Sequence, residues 1–318
     1  MAIENAALLQ LLAQPNLTDI LINGAAEAYA DFGDGLVRID HPCSNESKLA
    51  ELARWIIELA DRHLDFANPF ADCSLSSRQL GLEAQSQIRV HAALAGPSSP
   101  HTLLSMRKHQ PNAAGLHEFA SGRLELELWL GGMLARRENF LVSGATGAGK
   151  TTLLRALMNQ AQGERIIAIE EVAELAPIAG HFVSLQTRQA NTEGRGGITL
   201  EHLMREALRM RPDRLVIGEV RGTELLTLLN ALNTGHRGAA GSIHANNSAA
   251  VATRITTIGL QSGWPARAVA AAAAEAIQWL IHVERRGSAR VIAEVSSLSL
   301  GRRGDLRTVP CQELAGYL

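Results

Sequence analysis

Residues Gly144-Ala-Thr-Gly-Ala-Gly-Lys-Thr151 stand between the apolar run Phe140-Leu-Val142 and the helix-forming run Thr152-Leu-Leu-Arg-Ala-Leu157. A strand that breaks through a glycine-rich turn into a helix leaves few folds open, and this turn fits the pattern G-x-x-x-x-G-K-T. Its glycines let backbone N–H groups turn inward at the helix N-terminus, where they cradle phosphates. Lys150 then reaches the β- and γ-phosphates of a nucleotide, and the Thr151 hydroxyl takes Mg2+. The candidate cradle is Gly144, Ala145, Thr146, Gly147, Ala148, Gly149, Lys150, Thr151 and Thr152. Lysine usage supports it: Lys48, Lys108 and Lys150 are the only lysines beside 27 arginines, so a lysine here answers a chemical need.

Strand-like and helix-like segments alternate after residue 122: Phe140 to Ser143, a helix from Lys150, Ile166 to Ile169, a helix from Leu200, Leu215 to Ile217, a helix from Glu224, and Gly241 to Ile243. Such alternation predicts an α/β domain, a parallel sheet covered by helices. Ligands bind such sheets at the carboxyl ends of the strands. Leu215-Val-Ile-Gly-Glu219 is an apolar strand ending in a carboxylate, suited to hold the Mg2+ shell or to orient an attacking water. Ile166-Ile-Ala-Ile-Glu170-Glu171 ends in adjacent acids, of which an extended strand turns only one into the site. Ser242-Ile-His244 ends a third strand with a histidine placed to sense a γ-phosphate. The convergence of Gly144, Glu170 and Glu171, Glu219 and His244 on one sheet edge carries more weight than any one of them.

A chain of 318 residues has room for two domains. Residues 1–110 read as a small N-terminal α+β domain and 111–318 as the nucleotide-binding domain. The linker is expected at about 109–122, around Pro111, Asn112, Gly115 and Gly122. The first 121 residues carry 8 basic and 14 acidic side chains and the remainder 22 and 18, so the halves differ in kind. In the first half, Asp19 to Asn23 and Ala28 to Phe32, followed by Gly33-Asp34-Gly35 and Leu36 to Ile39, read as a hairpin. Ser44 is the expected cap of a helix with apolar positions from Leu49 to Leu64. Short strands are expected around Ile88 to Leu94 and Thr102 to Met106.

Composition narrows the function classes. Thirty basic against 32 acidic residues and 4% aromatics offer neither the basic track nor the stacking surface of a nucleic-acid binder. Three dispersed cysteines, Cys43, Cys73 and Cys311, encode neither a disulfide framework nor a paired-cysteine zinc site. The N-terminus has no basic region before its apolar residues and does not read as a secretory signal. Ala268 to Val283 is too short, too Ala-rich and too interrupted by polar residues for a membrane span, so no membrane insertion is expected.

The joint motif set resembles the type II and type IV secretion ATPase superfamily, with its Walker A loop, Asp box, Walker B ending in Gly-Glu and His box. Ser184-Leu-Gln-Thr-Arg188, Asn191-Thr-Glu-Gly194, Leu208 through Gly222, Ala231-Leu-Asn-Thr-Gly-His236 and Ile243-His-Ala-Asn246 are similar to its CpaF-like branch, which serves Tad or Flp pili. The first half agrees through Leu17 to Gly24, Ile88-Arg-Val-His91 and Leu104-Ser-Met-Arg107. The short length, without an N-terminal extension, is similar to actinobacterial members.

The resemblance implies a PAS-like N-terminal domain followed by a RecA-like P-loop ATPase domain with a mainly parallel sheet. It further implies a homohexamer with ATP and Mg2+ between the domains. Such a ring would be cytoplasmic, held at the inner face of the membrane by pilus or secretion platform proteins. Carried onto this sequence, Lys150 and Thr151 bind phosphates and Mg2+, Glu219 is the Walker B acid that also serves the metal shell, and His244 is the His-box member. Arg89 and Arg107 match phosphate-directed arginines of the N-terminal domain, and Arg188 and Arg209 match motor-domain arginines. Position 171 is Glu where the family box has Asp, and Phe70 to Arg78 departs from the family pattern. The alternatives within the superfamily are a conjugative type IV or a type II secretion ATPase. Outside it stand a RecA-like nucleic-acid motor and a nonhydrolysing nucleotide switch.

Overall fold

The computed structural model describes residues 2–82, 86–96, 98–109, 115–175, 178, 180–188, 195–287, 289–314 and 316–317. The chain divides into two compact units, Met1–Pro111 and Asn112–Leu318. Residues 110–114 of the expected linker and the motif Asn191-Thr-Glu-Gly194 lie outside the described residues.

The first unit contains α1 (Ala2–Ala13), β1 (Asp19–Asn23), β2 (Glu27–Asp31), β3 (Leu36–Arg38), α2 (Glu46–Glu58), β4 (Phe70–Ser76), β5 (Gln87–Ala93) and β6 (Leu103–His109). The strands form one antiparallel sheet in the order β3-β2-β1-β6-β5-β4. Period-two alternation sends Ile20 and Ile22, Ile88 and Val90, and Leu104 and Met106 into one core with Leu49, Leu52, Ala53, Ile56 and Ile57 of α2. The expected hairpin is the start of a three-stranded meander. Its second turn is closed by Asp31, whose Oδ1 accepts the N–H groups of Gly33 and Gly35 at 2.7 and 3.0 Å.

Two expectations change here. Asn45, not Ser44, caps α2, its Oδ1 accepting the Lys48 N–H at 3.0 Å. Leu64 lies beyond the helix yet is buried in the same core. The segment that departs from the family pattern is the edge strand β4, with Ala71, Cys73 and Leu75 facing inward.

The second unit runs α3 (Leu116–Phe119), α4 (Leu124–Ala135), β7 (Phe140–Gly144), α5 (Lys150–Met158), β8 (Ile166–Glu170) and β9 (Phe182–Gln186), then α6 (Leu200–Leu208), β10 (Arg214–Val220), α7 (Glu224–Asn233) and β11 (Ala240–His244). It ends with α8 (Ser248–Gln261), α9 (Ala266–Ala276), β12 (Trp279–Arg286), β13 (Ala289–Leu300) and β14 (Leu306–Pro310). The sheet order is β14-β13-β12-β7-β11-β10-β8-β9. All pairings from β12 to β9 are parallel, and β13 and β14 add antiparallel strands at one edge. The strands feed two cores alternately. Leu141, Ile167, Ile169, Leu215 and Ile217 pack with residues of α6 to α9. Phe140, Val142, Ile166, Ala168 and Val216 pack with α3, α4 and α5. Burial on both faces is why β7 and β8 read as unbroken apolar runs. The alanine-rich stretch weighed as a membrane span is α9 followed by β12. Among the described residues no helix is long and apolar enough to cross a membrane.

Asn139 ties the centre of this sheet together. Its buried side chain accepts the Ala239 N–H at 2.9 Å and donates to the Ala276 carbonyl at 2.8 Å, joining the entries to β7, β11 and β12. Asn139→Ala leaves the Ala239 N–H without this acceptor and the Ala276 carbonyl with only the longer 3.4 Å contact from Gln278 Nε2, so urea unfolding is expected to show a loss of about 2 kcal/mol.

Candidate nucleotide-binding site

The parallel run brings the carboxyl ends of β7, β8, β10 and β11 to one edge, and every acid and histidine singled out at a strand end sits there. Gly144 ends β7 beside His244, its register partner on β11. Gly147 and Gly149 take φ values of +75° and +99°, which a side chain rarely adopts. A Cβ at Gly149 would stand 2.7 Å from Arg290 Cδ, and one at Gly144 2.5 Å from the Val283 carbonyl oxygen. At Gly144 and Gly149 the space admits no side chain, whereas Gly147 faces open space and is held to glycine by its backbone angle alone. Ala145, Thr146 and Gly147 are exposed, Ala148 is buried, and α5 begins at Lys150 with Thr151 and Thr152 in its first turn.

Lys150 Nζ donates to the carbonyls of Gly144 and Ala145 at 3.0 and 2.9 Å, which folds the side chain back over the loop. Burial lowers its pKa, while the charges of Glu219 and Glu174 pull the other way. An ammonium held only by carbonyls and half-withdrawn from water is well prepared to exchange these contacts for phosphate oxygens. Thr151 Oγ1 donates to Glu174 Oε2 at 3.2 Å, setting two oxygen donors side by side. Such hard donors suit Mg2+, which takes few protein ligands when a nucleotide supplies the rest. The chain thus presents what a Mg-nucleotide requires: backbone N–H groups at a helix N-terminus, Lys150, and the Thr151 hydroxyl.

Glu170 and Glu171 point apart. Glu170 is 2% exposed, and its Oε1 accepts the N–H groups of Glu174 and Leu175, both at 3.0 Å. Burial pushes its carboxyl up to about 7, partly offset by these two hydrogen bonds. Oε2 is buried without a partner among the described residues, which favours a protonated carboxyl. Glycine at 218 makes room for it, since a Cβ there would stand 2.8 Å from Glu170 Cγ. Glu171 is half exposed and receives Arg221 Nη1 at 2.9 Å. Arg221 Nη2 reaches Glu219 at 2.8 Å. Burial raises the Glu219 pKa, but Arg221, Lys150 and His244 outweigh it and hold the carboxyl below its ordinary value. Glu219 is thus a charged acid paired with Arg221, its field reaching the loop lysine.

The arginines scatter. Arg188 follows β9 in a bridge to Ile198, its guanidinium beside Gly196. Arg209 ends α6 in an exposed pair with Glu206 at 2.9 Å, near the start of β10 and so away from the carboxyl edge within this unit. In the first unit Arg89 and Arg107 are exposed cross-strand partners, and Arg107 Nε also reaches Asp19 Oδ1 at 2.8 Å. Two residues of the edge were not picked out from the sequence, Arg221 and Glu174. Arg221 follows Glu219 closely enough to have been flagged as its counterion; Glu174 lies beyond a strand end, where no periodicity fixes direction.

A glycine loop running into a helix at the carboxyl edge of a parallel sheet, with acid-ending strands beside it, defines a RecA-like ATPase domain, here preceded by an α+β unit. The chain belongs to the type II/IV secretion system protein family, whose pattern it matches over residues 2–295. A putative conjugal transfer protein of Mycobacterium tuberculosis is 41% identical over 298 residues, covering 91% of this chain and 82% of that protein. VirB11 of Rhizobium radiobacter is 36% identical over 143 residues, 44% of this chain and 40% of its own. Among solved structures, the pilus retraction motor PilT with bound ADP superposes with a TM-score of 0.64 at 21% identity, over 92% of this chain and 81% of that one. The Legionella pneumophila ATPase DotB gives 0.62 at 18% identity, over 96% and 80%. At such identities the structural likeness is one of fold.

A carboxyl whose folded pKa is raised disfavours the folded state once it must ionise. Between pH 4.5, the ordinary value, and about 7, Glu170 keeps a proton that the unfolded chain has lost, so its share of stability falls as pH rises through that window. Glu170→Gln keeps the acceptor for the two N–H groups and removes the titration. Thermal melts from pH 4.5 to 8 are expected to show the variant gaining on wild type as pH rises; parallel curves would place the proton elsewhere.

Proposed function

We propose that the chain is the ATP-hydrolysing subunit of a hexameric motor that drives a type IV pilus or type IV secretion machine. The observation that carries this reading is the placement of the 144–151 loop with Lys150 and Thr151, and of the charged Glu219, at one carboxyl edge of the sheet, in a chain of the type II/IV secretion system family. The 144–152 loop and Lys150 hold the phosphates. Thr151 and Glu219 serve Mg2+, which neutralises phosphate charge when bound. Glu219 orients the attacking water and takes its proton at the carboxylate. His244, the register partner of Gly144 at the end of β11, faces the γ-phosphate. Arg89, Arg107, Arg188 and Arg209 are assigned to phosphoryl charge stabilisation, Arg209 from a neighbouring subunit because its own unit keeps it from the edge. Platform proteins at the inner face of the cytoplasmic membrane receive the motion, and the motor itself remains peripheral to that membrane.

The finer assignment we make is to assembly of a Tad or Flp pilus, resting on the CpaF-like run from Leu208 to Gly222 and on Ile243-His-Ala-Asn246. A conjugative transfer ATPase is the second reading, favoured by the printed name of the 41% identical mycobacterial relative. A Lys150→Ala allele in the host separates them: loss of surface pili with intact DNA transfer supports the first, and the reverse supports the second.

Steady-state ATP hydrolysis against protein concentration, with mass photometry on the same samples, tests the motor itself. Activity should rise with hexamer formation and ignore single-stranded DNA; DNA-stimulated or monomer activity would contradict it. Lys150→Ala is expected to weaken nucleotide binding at least ~100-fold. Glu219→Gln should bind normally and turn over ~100-fold or more slowly; near-wild-type hydrolysis would move the base elsewhere.

A further inference from the structure

β8 and β10 are parallel neighbours whose last paired positions are Ile169 and Ile217, and two residues further on stand Glu171 and Glu219. Glu171 lies just past β8 and Glu219 follows an irregularity in β10, so it is their shared partner, not strand period, that shows the two like charges meeting at the sheet edge. Arg221 is inserted between them, Nη1 to Glu171 Oε2 at 2.9 Å and Nη2 to Glu219 Oε2 at 2.8 Å. The guanidinium fork is therefore shared, one arm to each acid, and its plane fixes the angle at which the Glu219 carboxylate is held. Both ends of the bridge are anchored by backbone. Buried Glu224 accepts the N–H groups of Arg221 and Gly222, the latter at 2.6 Å, and Gln186 Nε2 donates to the Glu171 carbonyl at 3.2 Å.

We propose that Glu171, acting through Arg221, is a positioning residue for the Glu219 carboxylate. The inference rests on the reading above that Glu219 works on the attacking water. By taking one arm of the fork, Glu171 keeps Arg221 from closing on Glu219 with both. Without Glu171 the fork swings to a two-armed grip on Glu219 and turns its carboxylate away. Binding of the diphosphate, which depends on the 144–152 loop and Lys150, should not notice.

The test uses the purified full chain and five variants, Glu171→Gln, Glu171→Asp, Arg221→Ala, the Glu171→Gln/Arg221→Ala double variant, and Lys150→Ala. Readouts are kcat and KM for ATP, and affinity for a fluorescent ADP analogue. Glu171→Gln and Arg221→Ala should each lower kcat ~10- to 100-fold, as misplacement of a reacting group does, with ADP affinity within threefold of wild type. The double variant should fall no further than the worse single one, because both act through one bridge. Glu171→Asp should recover only part of the loss. A kcat within twofold of wild type for Glu171→Gln, multiplicative effects in the double variant, or ADP affinity falling in step with kcat would each overturn the proposal. Lys150→Ala separates the two levels: wild type that binds through Lys150 and hydrolyses upholds the proposed function even when Glu171→Gln is silent. Wild type that binds and never hydrolyses removes the reaction this positioning serves and overturns both.

Discussion

Parallel pairing is the constraint on which the second unit depends. Once β12, β7, β11, β10, β8 and β9 run in one direction, all their carboxyl ends fall on one edge, and the residues at those ends meet without contact along the chain. Gly144, Glu170, Glu219 and His244 are separated by as many as 100 residues yet share that edge. The cost of a parallel sheet is that each strand must be buried on both faces, and the two cores that sandwich it meet this cost. Asn139 and the buried Arg214, which donates to the Leu134 carbonyl at 2.6 Å and pairs with Glu164, tie the opposite edge of the sheet with polar contacts.

The same convergence crowds charge. Four glutamates (Glu170, Glu171, Glu174 and Glu219), a lysine and an arginine occupy the space at the ends of β8, β10 and the loop, and the structure separates their roles by environment. Burial turns Glu170 toward its neutral form and uses it to hold the 174–175 backbone. Arg221 keeps Glu219 charged. Burial makes Lys150 less willing to stay an ammonium among carbonyls, so a phosphate is the partner that would restore its charge balance.

Much of this domain was legible in the sequence because local patterns and the parallel topology agree. The strand, glycine loop and helix around Gly144 to Leu157 form as read, and the apolar runs ending at Ile169, Ile217 and Ile243 are central strands. Helix α6 shows the amphipathic logic directly: Leu200, Met204 and Ala207 are buried, with Leu203 and Leu208 packed beside them. What sequence left hidden has two sources. The antiparallel strands β13 and β14 and the edge strand β9 are partly exposed and carry weak patterns, so nothing local marks where they dock. Side-chain direction past a strand end is set by neighbours instead of by period. Which of Glu170 and Glu171 faces outward is decided by the space that Gly218 leaves on the adjacent strand, and the pairing of Thr151 with Glu174 spans 23 residues.

Hydrogen exchange of the full chain with and without Mg2+ and a slowly hydrolysed ATP analogue tests most directly the claim that one sheet edge gathers the chemistry. Protection is expected at residues 144–152 and at the ends of β8, β10 and β11 around 171, 219–222 and 244, with the opposite edge unchanged. Protection confined to other segments, or none at 144–152 under saturating nucleotide, would contradict it.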